Sequence, residues 1–157
     1  MKALLCIVSI GVAALLLTAG AAAPKQRGTA PRPSACYVPV YSAVHYGDRQ
    51  HAMNLAVTLA IHNTDLRNAI MITAVDFYDT AGRKLKSYLA TPRALNPLET
   101  VQYYVRESDT SGGTGANFIV RWRAASGAGA PLVESIMIGT HGQQGISFTS
   151  RCVPIPD

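Results

Sequence analysis

From Cys36 onward no stretch of ten residues keeps a helical stripe of apolar side chains, which excludes a helical bundle. Catalytic signatures are missing too. There is no Gly-x-Ser-x-Gly elbow, no His-Glu-x-x-His and no Cys-x-x-Cys, so no catalytic residue, metal or cofactor is assigned from motifs. A concentrated basic face is also lacking. The formal charge is +5, yet from Cys36 onward ten Lys or Arg stand against nine Asp or Glu. Nucleic-acid binding needs clustered cations to displace counterions from phosphates, and this nearly neutral body does not supply them. Cysteine is scarce, with only Cys6, Cys36 and Cys152, which rules out a dense disulfide framework.

What is present first is a leader. Lys2 precedes a charge-free run from Ala3 to Leu17, followed by small residues through Ala23, the three-part pattern of a secretory signal peptide. Pro24 disfavours cleavage directly after Ala23, so the exit is expected after Ala21 or Ala22, giving a signal peptide over 1–22. The alternative is an uncleaved anchor, since Ala3–Ala23 is long enough to cross a bilayer core of about 30 Å. Export implies a periplasmic or secreted protein. Residues 23–35 are rich in Pro, Ala, Lys and Arg without apolar periodicity and read as a disordered linker. Its Lys25, Arg27 and Arg32 offer a weak contact with anionic lipid surfaces; a solvated tether is the plainer account.

Residues 36–157 are expected to form one domain. Cys36 and Cys152 stand at its two ends, in phase with Val38 and Val40 and with Ile146 and Phe148. In an oxidising compartment they are expected to form a disulfide, worth on the order of 4 to 5 kcal/mol by the chain-entropy account of a loop of over 100 residues. The alternative is a pair of buried free thiols.

The rest of the domain breaks into short period-two runs separated by Gly, Pro, Asn and Asp, an all-β pattern. The runs are 36–46, 54–63, 70–78, 84–89, 100–106, 117–123, 132–138 and 146–152. Leu55, Val57, Leu59 and Ile61 alternate most cleanly, the run 70–78 reads as a central strand, Pro39 suggests a sheet edge, and Trp122 reads as core. Seven to eight strands fit a two-sheet sandwich, immunoglobulin-like or fibronectin-like, with a small barrel as the rival.

Two glycine loops carry the candidate ligand residues. Asp109, Ser111, Gly112, Gly113 and Asn117 lie in or beside the first, Asp109–Asn117; His141 and Gln144 lie in the second, Gly139–Gly145. Converging backbone amides and polar side chains there suit a ligand, while ordinary turn chemistry accounts for Asp109 equally. Tyr37, Tyr41, His45 and Tyr104 are candidates for an aromatic binding surface. His45, His51, His62 and His141 have no common ligand spacing, so surface histidines are expected in place of a metal cage. Asp76 interrupts an apolar run and is expected to pair with an Arg on a neighbouring strand. The reading is a non-enzymatic binding or interaction module, monomeric or weakly self-associating, for an unknown ligand or envelope protein. The alternative is an envelope hydrolase or metal-dependent enzyme using Asp109, His141 and Asp76.

Three blocks carry a family resemblance: Asn63–Leu66 running on to Val75–Gly82, then Asp109–Phe118, then Ile138–Thr140 with Gln144–Phe148. Over most of 37–151 the chain resembles the bacterial family known as domain of unknown function 3124. The resemblance implies an exported bacterial protein and supplies no catalytic or binding residues to place on these positions.

Overall fold

Period-two alternation does organise the chain, in more and shorter strands than the eight runs. The computed structural model describes residues 33–124 and 128–156; the leader, Cys6 and the linker cations Lys25, Arg27 and Arg32 lie outside the described residues. Twelve strands form among them: β1 (Pro33–Pro39), β2 (Ala43–Tyr46), β3 (His51–Asn54), β4 (Ala56–His62), β5 (Ile70–Tyr78), β6 (Lys84–Ser87), β7 (Arg93–Leu95), β8 (Thr100–Val105), β9 (Asn117–Ala124), β10 (Leu132–His141), β11 (Gln144–Arg151) and β12 (Val153–Ile155). A single 3-10 turn at Gly113–Gly115 is the one helical element among the described residues.

All pairing is antiparallel. One sheet runs β12-β1-β9-β5-β6, with β7 also on β5; a second runs β11-β10-β4-β8; β2 and β3 form a separate hairpin. The sheets are open, so the chain is all-β without being a closed barrel. Buried side chains from both larger sheets make one hydrophobic cluster that includes Val38, Phe77, Phe118, Val120 and Trp122 from the first and Val57, Leu59, Ile61, Val133 and Met137 from the second. Burial of these apolar faces is the main driving force for the fold.

Several local expectations hold. Leu55, Val57, Leu59 and Ile61 are buried, Trp122 is core, and β5 is central, flanked by β9 on one side and by β6 and β7 on the other. Others are corrected. Strand β1 begins at Pro33, inside the segment read as linker, because Ser34 and Ala35 pair with Trp122 and Arg121 of β9. Pro39 does not mark a sheet edge. It ends an interior strand at a point that the short β12, which reaches only Tyr37, leaves uncovered, so its missing N–H is tolerated.

The run 36–46 splits because the chain turns at Tyr41 and Ser42 and continues into the β2–β3 hairpin. The second glycine loop is almost entirely strand. Gly139, Thr140 and His141 pair with Ile146, Gly145 and Gln144, leaving only Gly142 and Gln143 as the turn. Gly142 at φ 62° supplies the positive φ that a two-residue hairpin favours at its first position. Ile146, read as inward-facing, is instead exposed, while Phe148 packs on the core.

The first glycine loop is fastened from two sides, by Thr80 and by Ser42. Thr80 donates both its backbone N–H and its hydroxyl to the Gly112 carbonyl, each at 3.0 Å; Gly115 N–H donates to the Thr80 hydroxyl at 2.9 Å; Ser42 N–H donates to the Gly113 carbonyl at 2.9 Å. A Cβ on Gly112 would fall 2.6 Å from Ala116 Cβ and 2.7 Å from both Phe77 Cζ and Ser42 Oγ. Gly112→Ala should therefore destabilise the fold by about 1–3 kcal/mol through overpacking. Gly129→Ala, with nothing within 4 Å, should stay within about 0.5 kcal/mol of wild type. Chemical unfolding of the two variants checks the contrast, and equal midpoints would remove the packing argument.

Candidate functional site

Among the described residues strand β6 pairs only with β5, and β8 only with β4, so each ends its sheet. A cleft of about 530 Å³ is lined by Lys86 of β6, Tyr88 just after it, Tyr104 of β8, and Arg106, Ser108 and Asp109 from the segment after β8. Tyr88 holds the two edges together. Its N–H donates to the Val75 carbonyl at 2.8 Å, its hydroxyl donates to the Tyr104 carbonyl at 3.4 Å, and its ring meets Tyr103 and Phe118 edge-on at 5.8 and 5.4 Å. Burial first, and then the nearby Asp109 carboxylate, push the Tyr88 hydroxyl above the usual phenol range.

Lys86 Nζ stands 4.2 Å over the Tyr88 ring, a cation–π contact. Neither Lys86 nor Arg106 enters a salt bridge among the described residues. Tyr104 is 56% exposed and offers its ring to solvent at the cleft wall. The cleft thus carries two cations, one carboxylate and two tyrosines. That set can hold an anionic group by charge-assisted hydrogen bonds and lay an aromatic face beside it.

Of the candidate ligand residues, Asp109 lines this cleft. Its Oδ1 accepts from Ser111 N–H at 3.1 Å and from the Ser111 hydroxyl at 2.5 Å, so it closes a turn as well. Gly112 and Asn117 are buried and Gly113 is held against Thr80; these three support the loop. His141 and Gln144 are elsewhere, at the tip of the β10–β11 hairpin. There the Tyr46 hydroxyl lies 3.1 Å from His141 Nε2, with His51 on the same ring at 5.6 Å. The β2–β3 hairpin and the turn that leads into it therefore touch both glycine-bearing segments, the first through Ser42 just before β2 and the second through Tyr46.

The remaining candidates scatter as well. Tyr41 packs on Phe148 at 6.1 Å, His45 is exposed, and His62 Nδ1 lies 2.9 Å from the Thr100 hydroxyl. Among the described residues no group of three or more His, Cys, Asp or Glu is placed to hold a metal ion. Asp76 is paired as expected, with Arg121 at 3.8 Å on β9 and more closely with Lys84 at 2.8 Å on β6. The Ser87 hydroxyl also donates to it at 2.6 Å. Asp76, Asp109 and His141 thus have three separate sets of partners.

Cys36 and Cys152 are adjacent free thiols. Their sulfurs are in hydrogen-bonding contact and not at bonding distance.

Sequence reasoning named Tyr104 and Asp109 but missed Lys86, Tyr88, Arg106 and Ser108. The usable signal was alternation: with Val101 and Val105 inward, Gln102, Tyr104 and Arg106 fall on the outward face. What alternation could not give was that the end of β8 lies beside β6.

The sequence profile of the family described as protein of unknown function (DUF3124) matches residues 34–155. No curated protein matches the chain. The solved structure described as the crystal structure of Thermotoga maritima 1070 is similar over 76% of this chain and 92% of that one, at 7% identity and a TM-score of 0.45, too distant to bear on fold or chemistry.

Burial pushes the Asp76 carboxyl up, but the hydrogen bonds from Lys84 and Ser87 and the charges of Lys84 and Arg121 bring it below the ordinary carboxylate range. Backbone N–H groups of Arg67 and Asn68 hold Asp65 at about 2, and Asp79 and Glu99 are lowered by backbone N–H groups of Arg83 and Asn96. Groups depressed in the folded state contribute stability above their unfolded pKa, near 4, and lose it as pH falls through the folded values. The thermal midpoint should therefore hold from pH 7 to about 5 and drop below about 4. Asp76→Asn should cost about 1–3 kcal/mol at pH 7 and flatten part of that drop. A variant whose acid profile matches wild type would show that Asp76 is not a source of it.

Proposed function

The chain belongs to the DUF3124 family, and from that membership and the cleft between β6 and β8 we propose that it is an exported, non-enzymatic binding module of the bacterial cell envelope. Its ligand carries a carboxylate or phosphate group, which Lys86 and Arg106 hold while Tyr104 covers an adjacent face. The observation that carries this reading is the convergence on one open cleft of two tyrosines and two cations that enter no salt bridge among the described residues. The enzyme reading has no such support, because Asp76, Asp109 and His141 are each engaged separately.

The finer architecture proposed is a two-sheet sandwich, immunoglobulin-like or fibronectin-like, monomeric or weakly self-associating, fastened by a Cys36–Cys152 disulfide once it reaches an oxidising compartment. The common hydrophobic cluster and the adjacent sulfurs support it. Lys25, Arg27 and Arg32 would add a weak contact with anionic membrane surfaces. Among the described residues no helix is long and apolar enough to cross a membrane.

Titration of isotope-labelled protein with glucuronate, and separately with inorganic phosphate, tests the cleft and tells the two anion types apart. Amide shifts should map to Tyr104, Arg106 and Ser108, and the double variant Lys86→Ala, Arg106→Ala should bind at least roughly tenfold more weakly. Shifts elsewhere, or unchanged affinity in the double variant, would rule the cleft out. For export, the mass of protein recovered from the envelope should correspond to a chain starting at Ala22 or Ala23; a retained Met1 would count against leader cleavage.

A further inference from the structure

Strand β11 ends at Arg151 and β12 begins at Val153, so Cys152 is the single residue on which the chain passes from one large sheet to the other. Its N–H donates to the Val133 carbonyl at 3.0 Å, fixing it to β10, while the following strand pairs with β1 and sets Pro154 opposite Cys36. This crossover brings the two sulfurs together in unequal surroundings. Cys36 is 0% exposed. Cys152 is half-buried and forms part of the wall of an open groove of about 470 Å³, together with Trp122, Pro131, Pro154, Ile155 and Pro156.

Only one of the two thiols is therefore open to a reagent, and the other waits behind it. We propose that Cys152 is a thiol-exchange site that attacks an organic disulfide docked in the groove, and that Cys36 is the resolving thiol. The proposal rests on the Cys36–Cys152 bridge put forward above and adds the route by which it closes.

In the first step the Cys152 thiolate attacks one sulfur of R–S–S–R. The donor S–S bond breaks, a bond from Cys152 to that sulfur forms, and R–S⁻ leaves and takes a proton from solvent. In the second, Cys36 gives up its proton to solvent and its sulfur attacks Cys152 Sγ. The mixed disulfide breaks and a second R–S⁻ leaves. Two cysteine thiols are oxidised and one donor disulfide is reduced to two thiols.

The hydrogen bond between the sulfurs favours this order, since it lowers Cys152 to about 7 and, with burial, raises Cys36. The more exposed thiol is thereby also the more readily ionised of the two.

The test is reduced full-length protein mixed with oxidised glutathione at pH 7, with peptide mapping to keep Cys6 apart. Wild type should close the Cys36–Cys152 bridge. Cys36→Ala should accumulate one glutathione on Cys152, and Cys152→Ala should leave Cys36 reacting at least about tenfold more slowly. If Cys36→Ala does not fold, a short iodoacetamide pulse on reduced wild type should label Cys152 at least about tenfold ahead of Cys36. A bridge that closes while the adduct or the label falls on Cys36 would overturn the order and leave the bridge standing. Failure of wild type to close any bridge would overturn both.

Discussion

The grip of Thr80 on the Gly112 carbonyl is the contact on which the arrangement of this protein depends. One side chain at the tip of the β5–β6 hairpin both donates to that carbonyl and accepts from Gly115. Ser42 and Val40 reach the same loop through Gly113 and Ala116. A loop with three glycines would otherwise be entropically expensive to order. Held this way, it fixes where the segment from Arg106 to Asp109 can run, and so where one wall of the cleft stands. It also seats the β2–β3 hairpin, whose other end meets His141.

The two open sides of the larger sheets are handled differently. On the side of β6 and β8 a single aromatic residue, Tyr88, spans from one edge to the other and packs on Phe118 beneath. This joins two exposed edge strands without a continuous ladder, which leaves an open cleft between them. On the side of β11 and β12 the chain itself crosses, with Cys152 at the crossing and Cys36 beneath it. The chemistry follows the closure: a polar, charged cleft where a side chain does the bridging, and an apolar groove with sulfur in its wall where backbone does.

Alternation along single strands was readable because burial on one face imposes it, as at Leu55, Val57, Leu59 and Ile61 or at Phe118, Val120 and Trp122. The partner of Asp76 was legible for a related reason: a carboxylate inside an apolar central strand has to find a cation, although Lys84 proved closer than Arg121. Long-range register was not legible. Nothing local in Gly139-Thr140-His141 says that it continues a ladder to Gly142 instead of forming a loop, since glycine serves both. Nor does the sequence of β6 say that Lys86 and Tyr88 will lie beside Arg106, a neighbourhood created by two sheets meeting edge to edge.

The register of β1 has a directional consequence. Ala35 lies beside Ile155 and Ser34 beside Trp122, while Pro39 at the other end lies beside Asn117, the residue that leaves the glycine-rich loop. A seven-residue strand spans roughly 20 Å. The end at which β1 begins and the end of the glycine-rich loop at Asn117 therefore lie about a strand's length apart, at opposite ends of the sheet.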